Sequence, residues 1–127
     1  MQKVDGKKIY LTRADSGRFK VTPKVHDPEY PDDPTKRIPY TLVEGDRIVF
    51  RLKRKAEDIF QVVCAKDCDL DIGNNKAFLY LEPEDTQNCE FKEYRYEFEL
   101  ITHDDFHSTF IENEPFTIGK ELETHGQ

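Results

Sequence analysis

Arg47-Ile48-Val49-Phe50-Arg51-Leu52-Lys53-Arg54 places an apolar residue at every second position from Ile48 to Leu52, with cations at 47, 51 and 53 between and beside them. A period of two sends Ile48, Phe50 and Leu52 to one face and the cations to the other, which is the pattern of a half-buried strand. The same rhythm returns downstream in Tyr94-Arg95-Tyr96-Glu97-Phe98-Glu99-Leu100 and upstream in Lys8–Arg13 and Gly17–Thr22. Shorter or less regular runs at 40–42, 59–66, 77–81, 106–112 and 116–122 read as further strands. Turn-forming stretches lie between them, among them Ala14-Asp15-Ser16-Gly17, Glu44-Gly45-Asp46 and Lys55-Ala56-Glu57-Asp58. Asp and Ser bond their own backbone in such turns, and Gly accepts positive φ.

Short strands spaced by turn signals predict an all-β, immunoglobulin-like antiparallel sandwich. One short helical turn is expected at Pro83–Asn88, where Pro suits the first helical position and Glu84 and Asp85 suit the first turn. The 127 residues fit one domain, 1–127, with a core at about 8–122. Residues 1–7 are expected to fray, as is the tail 123–127. Five prolines between Pro23 and Pro39 make 23–39 a long, exposed, semi-rigid loop without its own strands. Nine Phe and six Tyr supply a thin two-layer core despite the polar composition.

Charge is uneven along the chain. Residues 1–63 hold 14 Lys/Arg against 10 Asp/Glu, and residues 64–127 hold 5 against 16, for a net charge of -7. An acidic chain is a poor nucleic-acid binder, because phosphate contacts need a basic face. The basic run Arg51, Lys53, Arg54, Lys55 reads as a solvated strand end or an edge guard. No apolar stretch approaches membrane-spanning length and the start carries no secretory signal, so synthesis in the cytoplasm is expected. Three cysteines suit reduced thiols.

Four groups of residues are candidates for chemistry. Cys64 and Cys68, with His103 and His107, have zinc-type donors at C-x3-C and H-x3-H spacing, but the long gap between the pairs does not match a finger. Asp67, Asp69 and Asp71 resemble the opening of a calcium loop. Ile72 and Phe78 then stand where that loop requires Gly and a bidentate Glu, so turn capping explains the acids better. The two serines, Ser16 and Ser108, lie in no nucleophile elbow, and no glycine-rich phosphate loop exists. The expectation is a non-enzymatic chain that needs no cofactor. Tyr30, Pro31, Tyr94 and Tyr96 are the residues expected at contacts with partners, together with the unpaired edges of the sheets.

Four phrases in order carry a resemblance. They are Leu11-Thr12-Arg13-Ala14-Asp15-Ser16 with Phe19-Lys20-Val21, the run Tyr40–Phe50, the run Leu79–Thr86 leading to Tyr94–Leu100, and Phe116-Thr117-Ile118. Their order over residues 8–122 resembles small phage and prophage proteins of Gram-positive bacteria, similar to the N-terminal domain of phage baseplate upper proteins. The resemblance implies a β-sandwich that serves as a structural or adaptor module in a tail or baseplate. It would contact other tail proteins or a second copy of itself, and reach the virion with an active phage. The proline-rich insertion, and the absence of a fibre or receptor-binding region after the sandwich, depart from that pattern and favour an adaptor over a host-recognition role. A carbohydrate- or cell-surface-binding module is the alternative, with Tyr30, Tyr94 and Tyr96 as an aromatic platform if they face solvent.

Overall fold

The computed structural model describes residues 1–120. Eleven strands and one helical turn follow in order: β1 (Gln2–Asp5), β2 (Lys8–Thr12), β3 (Gly17–Val21), β4 (Lys24–His26), β5 (Arg37–Pro39), β6 (Arg47–Ala56), β7 (Ile59–Asp67), β8 (Asp69–Asp71), β9 (Lys76–Leu81), α1 (Pro83–Thr86), β10 (Lys92–Ile101) and β11 (His107–Gly119). A six-stranded sheet, β1-β2-β11-β10-β6-β7, faces a three-stranded sheet, β3-β9-β8. All pairings are antiparallel except β2 with β11, which run parallel. The order β11-β10-β6-β7 opposite β3-β9-β8 is the G-F-C-C′ and B-E-D order of a variable-type immunoglobulin sandwich.

The core lies where the alternating faces meet. Ile48, Phe50 and Leu52 of β6 are buried, as expected from their spacing. Phe50 is the hub, with ring centroids 5.3 Å from Phe98 and 6.0 Å from Phe116. Phe19 of the smaller sheet meets Phe116 edge-on at 6.3 Å, so aromatic packing spans the two layers. On the outer face of the large sheet Arg51 bonds Glu97 and Glu99 at 2.9 Å each, and Lys53 pairs with Glu97. Two of the four cations in the basic run are therefore held against carboxylates of the neighbouring strand.

The helical turn forms where expected. The Glu82 backbone N–H donates to the Asp85 carboxylate at 2.7 Å, and Pro83 opens the turn. The Ala14 N–H donates to the buried Thr86 hydroxyl at 2.8 Å, and Lys66 bridges to Asp85 at 2.8 Å, so α1 is tied to both sheets' ends.

Five expectations need correction. The run 40–42 forms no strand; it lies in the link between β5 and β6. Residues 2–5 are not frayed: they pair with β2 from Gln2↔Leu11 to Asp5↔Lys8. The proline-rich loop 23–39 has strands of its own, because β4 and β5 form a two-stranded ribbon outside the main sheets, where a strand proline is tolerated. Between them the chain makes successive turns, with Tyr30 N–H to the Asp27 carbonyl, Asp33 to Tyr30 and Lys36 to Asp33, at 3.1–3.2 Å. The stretch holding Asp67, Asp69 and Asp71, expected as capped turns, contains a strand, β8, whose Leu70 packs toward the core. The runs at 106–112 and 116–122 are one strand up to Gly119. Irregularities opposite Tyr96–Glu99 absorb its polar middle, and Asn113 takes φ +54°. The expected continuation to Leu122 and the tail 123–127 lie outside the described residues.

Candidate assembly edge and the residues expected to act

Among the described residues the large sheet ends at β7, which pairs with β6 on one side only. β7 carries Ile59, Phe60, Val62 and Val63 at 66%, 42%, 51% and 39% exposure, four large apolar side chains left exposed along one strand. β10 covers β6 only as far as the Lys53↔Arg95 pair, whereas β6 and β7 stay paired to Ala56↔Ile59. The β6–β7 hairpin therefore runs past the sheet that would shield it. Glu57 at φ +59° makes the tight turn. From Ile59 to Ala65 there is no charge, no Pro and no Gly, and Asp58 and Lys66 close the run at its two ends. A bulge at Val63, set between the Leu52↔Cys64 and Lys53↔Val62 pairs, bends this edge.

The residues expected to act fall in different places. Tyr30 is 49% exposed in the proline-rich turns, with the Lys36 ammonium 5.5 Å from its ring centre, and Pro31 is exposed beside it. Tyr94 and Tyr96 are not surface residues. They are 3% and 2% exposed, because their side of β10 faces the core, so the three-tyrosine platform does not form. The Tyr96 hydroxyl bonds the Lys7 carbonyl, and burial pushes its pKa up to about 12.

The zinc-type donors do not gather. Among the described residues no group of three His, Cys, Asp or Glu could hold a metal. His103 lies beside Asp46, Nδ1 to Oδ1 3.4 Å, and His107 sits between Glu99 and Asp105 at 3.0 Å from each. Burial raises the thiol pKa of Cys64 to about 11 and of Cys68 to about 12, which leaves both protonated near neutrality and poor nucleophiles. All three cysteines are free. Asp67 is engaged by Arg47 through two bonds at 2.9 and 3.0 Å, Asp71 caps the turn through Asn74, and Asp69 pairs with Phe78 in β8.

Sequence reading missed Asp46 as a structural centre. Its carboxylate is fully buried and accepts the Val43 and His103 backbone N–H groups at 2.8 Å each. Burial alone would raise its pKa, but those bonds and the Tyr40 hydroxyl hold it below the ordinary value. The Glu44-Gly45-Asp46 turn was the available signal, since a side chain that bonds the backbone of its own turn is a common use of Asp.

No protein-family model and no curated protein matches the chain. Among the described residues no helix is long and apolar enough to cross a membrane.

Proposed function

We propose that this chain is a non-enzymatic assembly module that joins a second copy of itself along β7. The observation that carries the reading is the uncovered β7 edge with Ile59, Phe60, Val62 and Val63 exposed. A strand edge offers unpaired N–H and C=O groups to another strand, and folds that leave one open guard it with charge unless it has a use. Here the run 59–65 carries no charge, and its one irregularity is the bulge at Val63. Antiparallel pairing of two β7 strands in a register centred on Val62 sets Asp58 of each copy opposite Lys66 of the other. Opposite charges facing across strands favour that register. The closed two-fold contact leaves the other edges free for a neighbouring subunit. The setting is the one implied by the sequence resemblance, a structural or adaptor part of a phage or prophage tail or baseplate.

The test is solution mass by size-exclusion chromatography with light scattering over a concentration series. A dimer that Val62→Lys converts to monomer, with the melting temperature unchanged, is the expected result. A wild-type monomer at every concentration, or a dimer indifferent to Val62→Lys, overturns the reading. Carbohydrate binding is the weaker reading because only Tyr30 of its three aromatics is on the surface.

A further inference from the structure

On the opposite side of the sandwich from β7, the two sheets do not close. A cleft of about 470 Å³ opens between β1, β3 and the β4–β5 ribbon. Pockets that hold small ligands run roughly 300–1,000 Å³, so the opening is wide enough to take side chains of a docked segment. Its floor is the edge of the core: Ile9, Phe19, Val21, Phe98 and Phe110. Its rim holds Lys7, Lys20, Lys24 and Arg37, with Arg18 at one end, and no Asp or Glu lines it. Lys7, Lys20 and Lys24 are exposed. None of these four rim cations forms an ion pair among the described residues, although the chain as a whole is acidic at -7. The Arg18 guanidinium lies over the Tyr80 ring, 5.3 Å from its centre.

Among the described residues the backbone beside this cleft is also unoccupied. There β3 is the end strand of its sheet, paired only with β9. Immunoglobulin sandwiches of the constant type place one more strand, A, beside B on that side. Here the residues before β2 fold back onto β2 as β1 and leave that position empty. One short stand-in occupies its upper end. The Gln2 side-chain amide accepts the Arg18 N–H at 2.9 Å and donates to the Arg18 carbonyl at 2.7 Å, as a neighbouring strand would. Backbone direction alternates along an antiparallel strand, so Lys20, two residues on, presents its N–H and C=O to the same side. That places a hydrogen-bonding edge, an apolar floor and four cations around one opening.

We propose that this cleft is an acceptor slot for an extended acidic segment of a partner protein, which adds as a strand beside β3 below Gln2. Backbone bonds to Lys20 would supply the docking register, an apolar side chain would fill the floor, and alternate carboxylates would reach the Lys7, Lys20, Lys24 and Arg37 rim. Charge complementarity selects the acidic segment over a neutral or basic one. The slot is separate from β7, so its occupancy does not depend on self-association there.

The probe is a fluorescein-labelled heptapeptide of alternating Glu and Val, followed by fluorescence anisotropy with the full chain. Saturable binding is expected. Exchange of its Glu for Lys, N-methylation of alternate backbone amides, or the double substitution Lys20→Glu/Lys24→Glu should each weaken it at least tenfold. Lys20 and Lys24 are solvent-exposed, so the variant's melting temperature should match wild type, and rising salt should weaken wild-type binding without any substitution. Val62→Lys should leave binding intact. The proposal falls if the basic peptide binds as well as the acidic one. It falls equally if the N-methylated peptide binds undiminished, which would mark a small-anion site instead of a strand slot. Loss of self-association in Lys20→Glu/Lys24→Glu would assign the slot to a second copy and overturn the partner segment. Absence of acidic-peptide binding at millimolar concentration also overturns it.

Discussion

The Tyr94 hydroxyl, near the start of β10, accepts a 2.9 Å hydrogen bond from the backbone N–H of Glu90, four residues upstream. The ring is buried, and its oxygen ties the link after α1 to the strand that follows. This is the tyrosine corner of immunoglobulin-type sandwiches, set where the chain turns from one sheet to the other. It explains why an aromatic that looks available in the sequence is spent inside the fold.

Tyr94→Phe keeps the ring and removes the hydroxyl, which accepts from Glu90 and also bonds the Cys89 thiol. The Glu90 N–H then loses its partner from this residue, and a loss of up to about 1 kcal/mol is expected. Urea denaturation should show a lower midpoint with an unchanged slope. An unaltered midpoint would mean that water replaces the hydroxyl and the corner contributes nothing to stability.

Asp46 joins the turn before β6 to the β10–β11 turn through the Val43 and His103 N–H groups. Asp46→Asn turns one acceptor oxygen into a donor that faces one of those N–H groups. A buried mismatch of this kind costs about 1–3 kcal/mol. The folded carboxyl titrates below its ordinary value of 3.8, so its contribution is present above that pH and is lost as pH falls through the lower folded value. Thermal melts between pH 2 and 7 should therefore show a smaller acid destabilisation in Asp46→Asn than in wild type.

Strands β6 and β10 were legible because each buries one face and exposes the other, so chemistry and geometry share one period. The β4–β5 ribbon was not, because Pro23, Pro28, Pro31, Pro34 and Pro39 argue against a strand in a sheet interior and say little about a two-stranded ribbon outside it. β1 was hidden by its polarity: all four of its residues are exposed, and only pairing with β2 orders them. The cleft rim was illegible for a different reason. Lys7, Lys20, Lys24 and Arg37 are spread over thirty residues, and only the fold brings them to one opening. The positive balance of the first 63 residues was its sole trace in the sequence.

His107 holds its imidazole between Glu99 and Asp105. Hydrogen bonds donated to both carboxylates raise its pKa above the ordinary 6.5, and Glu99 is held below its ordinary 4.5 by Arg51 and His107 although burial pushes it up. A raised folded pKa contributes stability that is complete below the unfolded value and is lost as pH rises through the folded one. Substitution His107→Gln should thus lower the melting temperature at pH 5.5 and leave it unchanged at pH 9. An equal loss at both values would show that the ring acts by packing, not by charge.

Gly119, the last residue of β11, lies two residues beyond the Thr117↔Tyr10 pair and on the same side of the sheet. A Cβ at this position would overlap the hydroxyl end of the Tyr10 ring. Gly119→Ala must displace that ring and is expected to cost about 1–3 kcal/mol, the range for overpacking. The cause is separable from any backbone effect. With Tyr10→Ala the obstacle is gone, and the added methyl should be neutral or slightly stabilising, because Gly inside a strand is unfavourable by roughly 0.5–1 kcal/mol relative to Ala. A double-mutant cycle measured by urea denaturation distinguishes the two. Strong coupling between Tyr10 and Gly119 means that the glycine exists to seat the tyrosine across the parallel β2–β11 join. Additive losses would place the requirement in the Gly119 backbone itself, whose carbonyl accepts the Arg13 N–H at 3.0 Å where the chain leaves β2 for the other sheet.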